Sequence, residues 1–177
     1  MKKWIWIALA LMIALPVAYK GYRIFSHEMA LKKAQDLYIG HPVPEASGTT
    51  LTGEHFSTTQ KGKNVVMVFW ATWCRYCVAE IPAIKAFYQE IRNDPDTELI
   101  SITIDQDTAK AKRFITEKGI DYPVIIDRRD AAGKGEFSHA FRIINLPSLW
   151  VIDKRGIIRG QNLHHLEDAK KILKSLH

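Results

Sequence analysis

Cysteine is almost absent from this chain: among 177 residues only Cys74 and Cys77 carry thiols. Two sulfurs exclude a framework of several disulfides and a four-sulfur zinc site. What they allow is one small ring, closed and reopened by thiol–disulfide exchange, in which a thiolate is the nucleophile. Acidic residues are missing from positions 1–25, where Lys2, Lys3, Lys20 and Arg23 lie. Those four bases account for most of the formal +6, leaving +2 from residue 26 onward with both signs interspersed. A charge distribution of that kind does not make a nucleic-acid surface. Internal repeats and low-complexity tracts are also missing. The 47% hydrophobic and 25% charged content is that of a folded domain able to bury a core.

No apolar run reaches the ~20 residues that span a bilayer, but one comes close. Trp4 to Tyr19 is uninterrupted by charge over 16 residues and follows Met1-Lys2-Lys3, the basic start of an export or insertion signal. Extending it to Phe25 restores the length if Lys20 and Arg23 snorkel to the headgroups. Trp4, Trp6, Tyr19 and Tyr22 then fall near the two interfaces. Small residues suited to cleavage are represented only by Pro16-Val17-Ala18. The reading is an uncleaved anchor over 1–25, a polar stalk over 26–39 and one folded domain over 40–177, held outside the cytoplasmic membrane. A cleaved signal peptide is the alternative.

Gly40-His41-Pro42-Val43-Pro44 breaks any helix, and the domain starts there. Residues 46–51 and 54–56 predict a hairpin around Gly53. Val65 to Trp70 is continuously apolar, as in a strand buried on both faces. A helix is expected over 74–92, where Val78, Ile81, Ile84, Tyr88 and Ile91 paint one apolar face and Pro82 predicts a kink. Strands are expected over 99–104, 122–126, 148–152 and 157–160. Helices are expected from Asp107 or Thr108 to Lys118, over 135–141 and over 166–176. Alternating strands and helices followed by a late hairpin predict an α/β fold with a mixed sheet flanked by helices.

The stretch Phe69-Trp70-Ala71-Thr72-Trp73-Cys74-Arg75-Tyr76-Cys77, with Pro82 five residues on and Leu146-Pro147-Ser148 about seventy residues later, resembles the thioredoxin superfamily. Within it, the anchor and the extra N-terminal hairpin are similar to the extracytoplasmic thiol–disulfide oxidoreductases of the TlpA/ResA type, which include reductases of cytochrome c maturation. The resemblance covers about residues 40–177. It implies a thioredoxin-like fold and a cis peptide before Pro147. That loop would lie beside the dithiol, with Leu146 offering main-chain hydrogen bonds to an extended substrate segment.

On the same basis Cys74 is expected at a helix start as the nucleophile. Cys77, one turn deeper, is expected to resolve the mixed disulfide. Arg75 adds a fixed positive charge that favours the thiolate. Tyr76 stands where thioredoxin has proline, a departure that leaves the reduction potential open. Val68 occupies the position of thioredoxin's buried aspartate and cannot move a proton. Membrane-anchored reductases of the family carry a glutamate where Glu80 falls, so Glu80 is expected to accept the Cys77 proton. A surface carboxylate serving the helix dipole is its alternative. Trp73, Arg75, Tyr76 and the Leu146–Pro147 loop form the expected substrate surface. Phe69, Trp70 and Trp150 are read as core, His139 as structural, and His164-His165 as a solvated loop.

No cofactor or metal is expected beyond the redox-active Cys74–Cys77 pair. The expected partners are exported proteins with cysteine pairs, apocytochrome c first, and a membrane donor of thiol–disulfide type; no nucleic acid is expected. A peroxidase of the same fold would need Pro and Thr where Met67 and Ala71 stand. A copper-delivery protein would space its cysteines by three residues rather than two. The alternatives are a disulfide oxidase or isomerase of this fold, which differs in the direction of electron flow, and, from another class, a copper-binding metallochaperone, which would bind copper stoichiometrically without dithiol exchange.

Overall fold

Seven consecutive buried residues, Asn64–Trp70 (β3), form the middle of the structure. β3 pairs in parallel with β4 (Thr97–Thr103) and antiparallel with β6 (Ser148–Ile152). The edges are β5 (Val124–Ile126), parallel to β4, and β7 (Ile158–Leu163), antiparallel to β6, giving the order β5-β4-β3-β6-β7. A strand paired on both sides and covered on both faces needs no polar side, which is why its sequence is continuously apolar from Val65 to Trp70.

This computed structural model describes residues 39–128, 130, 133 and 135–176, together with 15, 18–23, 25 and 26. The chain divides into two compact units, 1–37 and 38–177, and the second carries the sheet. Most of the expected anchor (1–25) and stalk (26–39) lies outside the described residues. Among the described residues no helix is long and apolar enough to cross a membrane.

Alternation along β3 separates two cores. Val66, Val68 and Trp70 pack with α1 (Arg75–Ile91) and α4 (Leu166–Lys174) through Ile84, Phe87, Leu166, Ala169 and Leu173. Val65, Met67 and Phe69 face the other side, against Phe137 of α3 (Glu136–Ala140), Phe141 and Trp150. Trp150 is fully buried and meets Phe141 edge-on at 4.9 Å. Burying a side chain of this size stabilises by about 1.5–3 kcal/mol, so the two cores hold the sheet firmly between helices.

The hairpin of β1 (Ser47–Thr49) and β2 (His55–Ser57) joins the second core through Ala46 and Phe56. It closes over the β5 edge, where Leu51 N–H donates to the Val124 carbonyl at 2.9 Å. A Cβ on Gly48 would come within 3.0 Å of Phe137 and 3.1 Å of Ile125, so a larger residue here would make both side chains shift by a few tenths of an ångström.

Most of the expected elements are present, with local differences. β5 starts only at Val124, because Pro123 has no N–H to give the ladder. β7 runs on to Leu163 and pairs with β6 through register shifts, with Asn162 at φ +48°. The helical backbone continues through Pro82, whose ring is exposed. Asp107 caps α2 (Thr108–Glu117) by accepting from Lys110 N–H at 2.9 Å, and Gly119, at φ +56°, follows its end.

Candidate active site

The chain leaves β3 at Trp70, crosses Ala71–Trp73 and enters α1 with Cys74 as the N-cap. Cys74 has extended backbone (φ −85°, ψ 102°), and its sulfur accepts from the Cys77 N–H at 3.2 Å. Cys74 and Cys77 are joined by a disulfide, with Cα atoms 5.3 Å apart. Both residues are buried, Cys74 at 7% exposure and Cys77 at 2%. The free N–H groups at the start of a helix carry partial positive charge, and no acid in the first turn of α1 offsets it. A thiolate formed here would keep the Cys77 N–H as a charge-assisted donor. Around this buried pair stand exposed side chains: Trp73 at 65%, Tyr76 at 77%, and Arg75.

The Leu146–Pro147 peptide is cis, as the family resemblance implies. Pro147 is buried where the chain enters β6, and Leu146 is half-buried. Between this loop and α1 opens a groove of about 520 Å³, lined by Tyr76, Ala79, Glu80, Asn145, Leu146, Pro147, His164 and His165. A second, narrower space of about 10 Å³ adjoins it, bounded by Val68, Trp70, Cys77, Glu80, Tyr122 and Pro147 among others. That volume holds about one water molecule. Glu80 lines both spaces and so stands between the inner sulfur and the groove. Its side chain is 26% exposed. The Leu166 N–H, at the start of α4, donates to its Oε2 at 3.4 Å, and His165 Nδ1 lies 3.5 Å from its Oε1. Tyr122, whose phenol burial and the neighbouring Asp121 hold well above the ordinary tyrosine range, stays neutral beside the small cavity.

Every residue expected at the site from sequence is thus brought into one region. Three others join it without a sequence signal. His164 is not simply a solvated loop residue: its Nδ1 lies 2.9 Å from the Pro147 carbonyl oxygen and bridges the β7–α4 turn to the cis-proline loop. His165 meets Glu80 as described. Asp105, just past the end of β4, is buried at 4% exposure and accepts from the Thr72 N–H and Thr72 Oγ1, both at 2.8 Å. Trp70 and Trp150 are core, and the Trp70 indole N–H donates to Ser101 Oγ at 3.0 Å. Among the described residues no three His, Cys, Asp or Glu side chains gather as a metal site would require.

Comparison with known proteins agrees with this geometry. A family model described as the AhpC/TSA family matches residues 39–161. The chain belongs to that family. Its relatives include the thiol–disulfide oxidoreductase ResA of Geobacillus thermodenitrificans, 30% identical over 169 residues, covering 93% of this chain and 91% of that protein. The thioredoxin-like protein YneN of Bacillus subtilis is 29% identical over 161 residues, covering 90% and 88%. The crystal structure of StoA from Bacillus subtilis superposes with a TM-score of 0.63 at 23% identity, over 76% of this chain and 98% of that one, a likeness of fold. This AhpC/TSA family member is a thiol–disulfide oxidoreductase of the ResA type with a thioredoxin-like fold. Met67 and Ala71, which stand at the Pro and Thr positions of a peroxidase, are both fully buried apolar residues.

Proposed function

We propose that the protein reduces disulfides in exported proteins, with apocytochrome c as the leading client, and that it works outside the cytoplasmic membrane on an anchor formed by residues 1–25. The observation that carries this reading is the Cys74–Cys77 disulfide at the α1 N-terminus, where Cys77 and the cis Pro147 border one small space and Glu80 lines both that space and the open groove.

In the reducing direction the Cys74 thiolate attacks one sulfur of the client disulfide. The client S–S bond breaks, one client thiolate leaves, and Cys74 is held in a mixed disulfide. Cys77 then gives its proton to the Glu80 carboxylate, and its thiolate attacks Cys74 Sγ. The second client thiolate leaves, two electrons have passed to the client, and the enzyme carries the Cys74–Cys77 bond. Trp73, Arg75 and Tyr76 on one side, and Leu146 and Pro147 on the other, would hold the client segment between them. A membrane donor of thiol–disulfide type would return the protein to its dithiol form, since free thiols are scarce in an oxidising exterior. The apolar run from Trp4 to Tyr19 behind Lys2 and Lys3 supports the location.

Oxidised apocytochrome c mixed with the full-length dithiol protein tests this reading. The wild type is expected to reduce it one for one. Cys77→Ser should accumulate a covalent adduct through Cys74, and Cys74→Ser should do neither. Reduction that survives Cys74→Ser, or a Cys77→Ser protein that forms no adduct, would refute the assignment.

A further inference from the structure

Three aspartates are buried among the described residues: Asp105, Asp127 and Asp153. Asp153 is ion-paired to Arg159, and Asp127 accepts from the Phe137 and Ser138 N–H groups that open α3. Asp105 is different. It serves neither a helix nor an ion pair with any described residue, and its carboxylate is spent on the loop that leads into Cys74. One oxygen accepts from Thr72 Oγ1 at 2.8 Å. The other accepts from the Thr72 N–H at 2.8 Å and from Thr103 Oγ1 at 2.6 Å. Thr72 is two residues before Cys74, and the Cys74 N–H in turn donates to the Ala71 carbonyl at 3.1 Å. The carboxylate therefore holds the segment from which the sulfur projects.

We infer that Asp105 is a positioning residue for the Cys74–Cys77 couple, whose buried negative charge behind the loop makes the dithiol more reducing. The physical basis is the balance of charge around the attacking sulfur. The N–H groups of α1 and the Arg75 guanidinium favour a thiolate, and a stabilised thiolate makes the disulfide a stronger oxidant. An anion in a region sheltered from water opposes them, because Coulomb interactions there are weakly screened. The neutral hydroxyl and amide donors on Asp105 temper its charge without cancelling it. This deepens the reading of Cys74 as the attacking sulfur and rests on it.

The test is the redox equilibrium of the full-length protein against thiol–disulfide buffers at pH 7, comparing two variants with the wild type. Asp105→Asn removes the charge and nearly keeps the shape. It is expected to move the equilibrium constant roughly tenfold toward the dithiol form, a potential about 30 mV less reducing. Thr103→Val removes one donor from the carboxylate and leaves more of its charge uncompensated. It is expected to move the constant about twofold to threefold the other way. A carboxylate that only braces the loop would give shifts of the same sign in both variants, or none, and either result overturns the inference. If Asp105→Asn does not fold, the sign of the Thr103→Val shift decides: more reducing upholds the inference, unchanged or less reducing overturns it. Because the variants are compared with the wild type, the outcome stands apart from whether the wild-type potential is that of a reductase.

Discussion

Glu80 is where a single side chain carries the most chemistry. It lines the small cavity next to Cys77 and the open groove at once, and it is braced from α4 by the Leu166 N–H. On the proposed mechanism it takes the proton that Cys77 must lose before resolution. Glu80→Gln keeps the shape and removes the proton acceptor. Resolution of a preformed Cys74 mixed disulfide is then expected to slow by roughly tenfold or more at pH 7, followed as client release after rapid mixing. A wild-type rate with an unchanged pH profile would remove Glu80 from the mechanism. The position of Glu80 three residues after Cys77 is visible in the sequence, as is the paired spacing of the sulfurs. The contacts that hold the site together are not. His164 meets Pro147 across 17 positions, Asp105 meets Thr72 across 33, and His165 meets Glu80 across 85. A side chain whose partner lies that far along the chain leaves no periodicity to read, and adjacent histidines look like a solvated loop until the β7–α4 turn is folded against α1.

Among the elements, those built from local rules were legible. β3 is written as an apolar run from Val65, the start of α2 as Asp107, and α1 as an apolar stripe in which Ile81, Ile84 and Ile91 are buried as expected while Cys77 and Phe87 take the buried places expected of Val78 and Tyr88. Boundaries set by tertiary pairing were less so, as the short β5 and the extended β7 demonstrate. The turn between β6 and β7 rests on a short-range charge network around Asp153. Asp153, 7% exposed, accepts from the Arg155 and Ile157 N–H groups at 2.9 and 3.0 Å and pairs with Arg159 at 2.7 Å. Burial pushes its carboxyl up, but the bonds from Ile157, Arg159 and Arg155 outweigh it and hold the group below the usual carboxylate range. A depressed carboxylate adds stability above its unfolded pKa of ~3.9 and loses it as pH falls through the lower folded value. Asp153→Asn is therefore expected to cost about 2 kcal/mol at pH 7, with the difference from wild type shrinking as the pH falls below ~3.9 in urea unfolding curves. An equal loss above and below that pH would show that packing, not charge, secures the turn.

At the scale of the whole molecule, the sheet delivers three chain segments to one end, where the candidate site lies. β3 ends in the loop that becomes Cys74, Asp105 follows β4 and is hydrogen-bonded to that loop, and the cis-proline connection enters β6. The fold class could be read in advance because element order and the two-cysteine motif agree. The direction of electron flow could not, because it is a balance of opposing fields. Helix N–H groups and Arg75 favour the thiolate, and Asp105 and the buried surroundings disfavour it. The measurement that addresses the central claim most directly is the reduction potential of the full-length protein, equilibrated with thiol–disulfide buffers and followed by tryptophan fluorescence. A reductase requires a value near or below the ~−270 mV of thioredoxin, and that is the result expected here. A value toward ~−120 mV would mark a disulfide donor and contradict the account.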